Sequence, residues 1–151
     1  MALTLITGIL GAPASAWAED YNQMTLMEVD FSGQDLTNSS FTQATLRKSN
    51  LSHTNLQGVS LFGANLDRVN LEGANLRYAT LDNARLTRAN LTNAVLEGAF
   101  AYNTKFNGAI IDGADFTDVF LQPRMVETLC EIASGTNPET GRETRATLYC
   151  D

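Results

Sequence analysis

Few side chains in this chain could carry out nucleophilic or metal chemistry. The 151 residues include one histidine, His53, and two cysteines, Cys130 and Cys150. His53 has no second histidine or cysteine at a spacing typical of metal sites, so we interpret it as a solvated side chain. The G-x-S-x-G, P-loop and H-E-x-x-H motifs do not occur in the sequence. We therefore predict that the protein is not an enzyme and has no cofactor.

Three aspartates near the C-terminus raise the question of a calcium site. Asp112, Asp115 and Asp118 are spaced three apart, which departs from the D-x-D-x-D-G order of a calcium loop. They also occupy three different positions of the five-residue repeat described below, so their side chains should point in different directions. We therefore predict no metal site.

Whether the two cysteines are expected to form a disulfide depends on whether the protein is exported. Residues 1–18 carry no charged side chain, and an apolar run is followed by small residues that end in Ala-Trp-Ala. This pattern predicts a signal peptide that is cleaved between Ala18 and Glu19, although the usual basic start is missing. The alternatives are an N-terminal core helix or a membrane anchor, and the apolar run is too short to cross a bilayer as a helix.

In an exported protein, the two cysteines favour a disulfide between Cys130 and Cys150. Closure of a loop of roughly 20 residues would stabilise the folded state by about 3 kcal/mol. The alternative is two buried thiols. A redox-active pair would be expected at C-x-x-C spacing, which these cysteines do not have.

The rest of the sequence is dominated by a repeat with a period of five, and this repeat must position any functional group. Every fifth residue from Phe31 to Leu121 is Leu, Phe or Ile, and Ala101 is the one small exception. We refer to these residues as centres. The residue two positions before a centre is usually Ala or Val, and the residue two positions after it is Gly or Asn in 11 of 18 cases. Because Gly and Asn tolerate positive φ, the chain can turn once in every five residues.

Such turns predict a square coil. Four sides would close a coil of about 20 residues, and successive coils would stack through parallel β-bridges at about 4.8 Å. The centres would fill each coil, and the small residues would leave clearance between coils. We predict an all-β solenoid, a quadrilateral β-helix, over residues 19–122. A leucine-rich repeat has a longer and uneven period, and the frequent turn residues exclude a helical bundle.

The repeat resembles that of the pentapeptide-repeat family, whose consensus is A-(D/N)-L-x-x. Ala-Asn-Leu at 64–66, 74–76 and 89–91 and Ala-Asp-Phe at 114–116 match it closely. The resemblance covers about two thirds of the chain, and it implies that the β-helix is right-handed.

The C-terminal tail, residues 123–151, is predicted to form a short α-helical cap. Residues 124–133 have helical spacing, residues 134–141 are typical of a loop, and residues 144–150 suggest a second short helix. The tail contains Leu-Cys-Glu-Ile-Ala-Ser-Gly-Thr-Asn-Pro-Glu-Thr-Gly at 129–141 and Thr-Arg-Ala-Thr-Leu-Tyr-Cys at 144–150. In these segments it resembles the tail of small exported pentapeptide-repeat proteins of cyanobacteria, whose plant relatives reside in the thylakoid lumen. This resemblance implies a disulfide-linked helical cap and a location in the thylakoid lumen or the periplasm.

The charge balance argues against one class of function, general nucleic-acid binding. With 17 Asp/Glu against 10 Lys/Arg, the chain is too acidic for a general nucleic-acid binder. We predict a structural or protein-interaction module with an unidentified protein partner, no membrane attachment after cleavage, and a monomeric or end-to-end dimeric state. The alternative is a DNA-mimic inhibitor of a topoisomerase, a role of some pentapeptide-repeat proteins that needs a cytoplasmic location and a long acidic face. The export signal disfavours it, as do the expected stacked pairs Arg47–Asp67, Arg77–Glu97 and Arg85–Lys105.

One aromatic cluster is the strongest candidate for a binding surface. Because residues 20 apart should stack, Phe100, Tyr102 and Phe120 are expected to lie together near the C-terminal end of one side, with Phe62 further along it. We expect the tail to pack over this cluster. The alternative is a partner-binding patch, since exposed apolar clusters often mark interfaces.

Overall fold

The computed structural model describes residues 18–151. The predicted signal peptide lies outside the described residues, except for Ala18 and Glu19 at the expected cleavage point. Within the described part of the chain, neither helix has the length and hydropathy needed to cross a bilayer.

The main body is a stack of 20-residue coils. Seventeen parallel bridges join residue i to residue i + 20, from Asp20–Ser40 to Phe100–Phe120, and they define five coils. Backbone hydrogen bonds run between coils in the same register, as from the Leu71 amide to the Asn90 carbonyl at 2.7 Å. The predicted register is confirmed, and the stack starts before Phe31, because Tyr21 and Leu26 are also buried centres.

Each corner of the coil is a tight turn. The residue two positions after each centre has positive φ from position 23 to position 118, and Asn38 is the exception. Bulky residues also adopt this conformation, with φ of 57° at Arg68 and 58° at Tyr78. Left-handed geometry costs an L-residue about 1–2 kcal/mol, and the bonds between coils offset this cost. The Tyr78 amide, for example, donates to the Glu97 carbonyl at 3.0 Å.

The core is a single column of apolar side chains inside the coils. The central leucines, such as Leu71 and Leu76, are fully buried, and Ala74 and Ala79 beside them are fully buried as well. At the N-terminal end, the ring of Tyr21 stacks on Phe41 with the ring centroids 4.8 Å apart. Buried centres therefore line the coil interior from Tyr21 to Phe116, as the five-residue pattern predicts.

Two helices follow the last coil. Helix α1 spans Pro123–Ile132 and begins with proline at its first position, and helix α2 spans Thr144–Thr147. A disulfide joins Cys130 in α1 to Cys150, with the Cα atoms 5.6 Å apart. Apolar residues of the tail are buried against the coils, namely Leu129, Ala133 and Leu148.

The tail is also tied to the last coil by polar contacts. The Gly113 amide donates to the Ser134 carbonyl at 2.8 Å, and the Phe116 amide donates to the Thr147 hydroxyl at 3.0 Å. Asn137 is fully buried, and its side-chain amide donates to the Gly113 carbonyl at 2.9 Å. These bonds satisfy backbone groups that have no further coil to pair with, as the open end of a solenoid requires.

Candidate interaction surface

Three exposed aromatic side chains lie together on one side of the coil stack. They are Phe100, Tyr102 and Phe120, and we call them the aromatic patch. Their exposed fractions are 43%, 56% and 61%, which are high for aromatic residues of a small domain. The local sequence explains the placement, because residues directly before and after a centre point outward and Ala101 is the centre between Phe100 and Tyr102.

The geometry of the patch is regular. Phe100 and Phe120 are bridge partners on successive coils, and their rings are nearly parallel with centroids 5.3 Å apart. The Tyr102 amide donates to the Asp82 carboxylate at 2.7 Å, which fixes the backbone beneath the tyrosine ring. Stacked rings on a stiff ladder lose little conformational entropy on binding, so the patch suits a contact surface.

The expectation that the tail covers this cluster is wrong. Helix α1 starts directly after Gln122, and the tail packs on the end of the stack, where Asn137 and Thr147 contact the last coil. The end of a solenoid exposes unpaired backbone groups, and the tail is used to pair these groups. The aromatic side chains therefore remain exposed to solvent in the described part of the chain.

Phe62 belongs to the same side but does not join the patch. It is 39% exposed and lies two coils before Tyr102 in the same column, and Asp82 occupies the coil between them. A separation of two coils corresponds to about 10 Å. The structure thus brings together three of the four predicted patch residues, and an acidic side chain separates the fourth.

The candidate metal and catalytic groups are dispersed. Among residues 18–151, no three His, Cys, Asp or Glu side chains are placed to hold a metal ion together. Asp112 accepts a hydrogen bond from the Ser134 hydroxyl at 2.7 Å, whereas Asp115 accepts one from Thr117 at 2.6 Å. His53 is exposed, as the sequence indicates.

Asp115 is a buried carboxylate with structural partners. Burial acts to raise its pKa, but hydrogen bonds from the Thr117 hydroxyl and amide and the charge of Arg142 outweigh this effect and hold the pKa below its usual range. Arg142 lies 3.2 Å from the Asp115 carboxylate and 3.4 Å from that of Glu97. The site therefore links the tail to the coils.

Asparagine side chains line two other sides of the stack. The Asn75 side chain donates to Asn55 at 3.0 Å, and the Asn90 side chain donates to Asn70 at 3.3 Å. The Asn70 side chain also accepts a bond from the Glu72 amide at 3.0 Å. These hydrogen bonds join neighbouring coils and hold the backbone at the turns, so we assign the asparagines a structural role in stabilising the coils.

Carboxylates do not form a column on any side. Within residues 18–151, no two Asp or Glu residues occupy the same position on successive coils. The expected pair Arg77–Glu97 is present at 3.6 Å. The long acidic face that a DNA mimic needs is not seen in the described residues.

Comparison with known proteins agrees with the repeat geometry. The pentapeptide repeat region profile matches residues 34–116. The crystal structure of a pentapeptide repeat protein from the Arabidopsis thaliana thylakoid lumen is 41% identical, with a TM-score of 0.64, and the match covers 89% of this chain and 86% of that one. A pentapeptide repeat protein from Nostoc PCC 7120 is 30% identical, with a TM-score of 0.61, over 72% of this chain and 89% of that one. Such proteins form right-handed quadrilateral β-helices.

A curated relative matches over a shorter stretch. The thylakoid lumenal protein TL20.3 of the Arabidopsis thaliana chloroplast is 49% identical over 43 residues, which cover 28% of this chain. The matched segment spans only 15% of the length of that relative. The profile match across the coils and the similarity to the thylakoid lumen structure over most of both chains lead to one conclusion: the chain belongs to the pentapeptide-repeat family.

Proposed function

We propose that this protein is a non-enzymatic protein-interaction module of the thylakoid lumen. The aromatic patch is the observation that carries the proposal. A stiff solenoid holds Phe100, Tyr102 and Phe120 exposed on one side, and exposed aromatic side chains on a rigid frame are typical of binding hot spots.

The family and the relatives support the class and the location. Pentapeptide-repeat proteins are in general structural or interaction modules. A solved relative similar over most of its length and a curated relative are both thylakoid lumenal proteins. A lumenal location also agrees with the predicted cleavage between Ala18 and Glu19 and with the disulfide between Cys130 and Cys150.

The interaction can be tested with matched single variants. Tyr102 and Tyr78 are 56% and 55% exposed, so Tyr102→Ala and Tyr78→Ala remove the same group from the patch and from outside it. In pull-downs from a thylakoid lumen extract, wild type and Tyr78→Ala should retain the same partner. Tyr102→Ala should weaken capture about 30-fold or more, since hot-spot truncations cost at least about 2 kcal/mol.

The triple variant Phe100→Ala/Tyr102→Ala/Phe120→Ala should abolish capture. Equal retention of the partner by the triple variant and wild type would reject the patch as the binding surface. The location is tested separately by sequencing the N-terminus of the native protein, which should begin at Glu19 in the lumen fraction.

A further inference from the structure

A second side of the coil stack concentrates positive charge. This basic side has the centres Leu26, Leu46, Leu66, Leu86 and Phe106. Its outward and corner positions hold six of the ten Lys/Arg residues and two of the 17 Asp/Glu residues, a formal charge of +4. The rest of the chain holds the other four bases and fifteen acids, a formal charge of −11. The six bases are Arg47, Lys48, Arg68, Arg85, Arg88 and Lys105.

The cations are stacked on one another. Arg85 and Lys105 are direct bridge partners on successive coils. Lys48, Arg68 and Arg88 occupy one corner column, each with φ between 56° and 58°. Like charges that face each other across a ladder are unfavourable, and left-handed backbone adds strain. Carboxylates offset part of this cost, since Lys48 lies 3.9 Å from Glu28 and Arg88 lies 3.3 Å from Asp67.

The carboxylates on this side leave much of the positive charge without a partner. Asp67 lies 3.5 Å from Arg47 and 3.3 Å from Arg88, and its side chain is only 8% exposed. Among the described residues, Arg85, Lys105 and Arg68 have no carboxylate within 4.0 Å.

Asp67 holds the guanidinium groups around it in place. Burial acts to raise its pKa, but the hydrogen bond and charge of Arg88, followed by the charges of Arg68 and Arg47, keep the pKa below its usual range. It therefore stays ionised and fixes Arg47 and Arg88.

These side chains surround an open depression of about 450 Å³. Its lining consists of Arg47, Asn65, Asp67, Arg85, Thr87, Arg88 and Lys105. The cations extend from Arg47 to Lys105, across three coil spacings or about 14 Å. That length corresponds to about four residues of extended chain, so the shape fits a linear anion better than a single small one.

We propose that the basic side binds an acidic, carboxylate-rich segment of a protein partner. Arginine binds carboxylates through two parallel N–H donors, and three of the four cations that line the depression are arginines. The negative charge of the rest of the molecule repels an acidic partner and steers it to this side. The surface is separate from the aromatic patch, and its chemistry does not depend on the proposed location.

The test measures binding of a fluorescein-labelled octaglutamate peptide to the full chain by fluorescence anisotropy. Arg85→Gln/Lys105→Gln removes two unpaired cations and leaves the partners of Asp67 in place. We expect affinity to fall about three- to tenfold, from exposed ion-pair strengths. The charge-preserving swap Arg85→Lys/Lys105→Arg should retain most of the affinity, and added salt should weaken wild-type binding.

Single-charge controls separate this site from general attraction. Arg85→Gln should weaken peptide binding, whereas Arg124→Gln, an exposed cation in α1, should not. The thermal midpoint of Arg85→Gln should not fall, because the substitution relieves the repulsion with Lys105. Tyr102→Ala should bind the peptide as wild type does, so failure of the proposed function and failure of this inference are distinguishable.

Three results would overturn the inference: equal losses in Arg85→Gln and Arg124→Gln, wild-type binding that does not respond to salt, or tighter binding to phosphatidylglycerol vesicles than to the peptide. The last would assign the surface to a membrane instead of a protein segment.

Discussion

Replacement of Asn137 by alanine should detach the C-terminal tail from the coils. Asn137 is fully buried, and its side-chain nitrogen lies 2.9 Å from the Gly113 carbonyl and 3.1 Å from the Asn93 carbonyl. Its side-chain oxygen accepts bonds from the Glu139 amide at 2.9 Å and the Thr140 amide at 3.0 Å. One side chain thus holds the loop in shape and joins it to the last coils.

The expected loss follows from counting these bonds. The amide group has two hydrogens, so it makes about two donor bonds at once in addition to two accepted bonds. At about 1 kcal/mol for each bond, Asn137→Ala should destabilise the docked tail by about 4 kcal/mol. That is a large part of the total stability of a typical domain, about 5–15 kcal/mol.

Hydrogen exchange can localise the effect. The Thr144 amide, which donates to the Gly135 carbonyl at 3.0 Å, reports on the tail. The Leu71 amide, which donates to Asn90, reports on the central coils. Asn137→Ala should speed exchange at Thr144 about 100-fold or more and leave Leu71 nearly unchanged, because about 1.4 kcal/mol corresponds to a factor of ten.

An exposed asparagine gives the control. Asn107 lies on the surface of the last coil, so Asn107→Ala should change stability by less than about 0.5 kcal/mol. If exchange at Thr144 in Asn137→Ala matched that in Asn107→Ala, the assignment of Asn137 as the link between tail and coils would be refuted.

Three further predictions concern the tail, the core and pH. Cys130→Ser/Cys150→Ser should destabilise the tail by about 3 kcal/mol, because the disulfide joins residues 20 apart in sequence. Denaturation of the variant, and of wild type with and without reductant, measures this difference. A variant as stable as wild type would contradict the prediction. Leu71→Ala should lower the free energy of unfolding in urea by about 3–5 kcal/mol, because Leu71 is fully buried inside the coils. A decrease of less than about 1 kcal/mol would mean that the coils close around the cavity. The pKa of Asp115 is lowered in the folded state, so the ionised carboxylate stabilises the fold. This stabilisation is fully present above the ordinary aspartate pKa of about 3.9, and it is lost as the pH falls through the lower pKa of the folded state. Stability of Asp115→Asn should therefore depend less on pH than that of wild type between about pH 5 and pH 2, and parallel curves would exclude this linkage.

The coil could be predicted because one physical requirement repeats at every position. Each inward leucine needs a corner two residues later, so the spacing from Phe31 to Leu121 determines both the turn and the register of 20 residues. The same register placed Phe100 above Phe120 and Arg85 above Lys105 correctly. The first bridge, at Asp20, lies within the range of 19–122 predicted for the β-helix, although Tyr21 occupies its centre in place of Leu or Phe.

The docking of the tail could not be obtained in the same way. Asn137 lies in a stretch whose composition is typical of a surface loop, and its burial depends on contacts with Asn93 and Gly113 that are distant in sequence. The basic side follows from the register only when all positions of one side are counted together, because a single pair such as Arg47–Asp67 joins opposite charges. Arg68 and Arg88 are 20 residues apart, as are Arg85 and Lys105, so the cations collect on that side.

Photo-crosslinking tests the proposed interaction role most directly. Tyr102 in the aromatic patch and the equally exposed Tyr78 outside it are each replaced by p-benzoylphenylalanine, and the proteins are irradiated in a thylakoid lumen extract. We expect one discrete protein adduct from position 102 and none from position 78. No adduct from position 102, or the same adducts from both positions, would refute a role of the aromatic patch in binding.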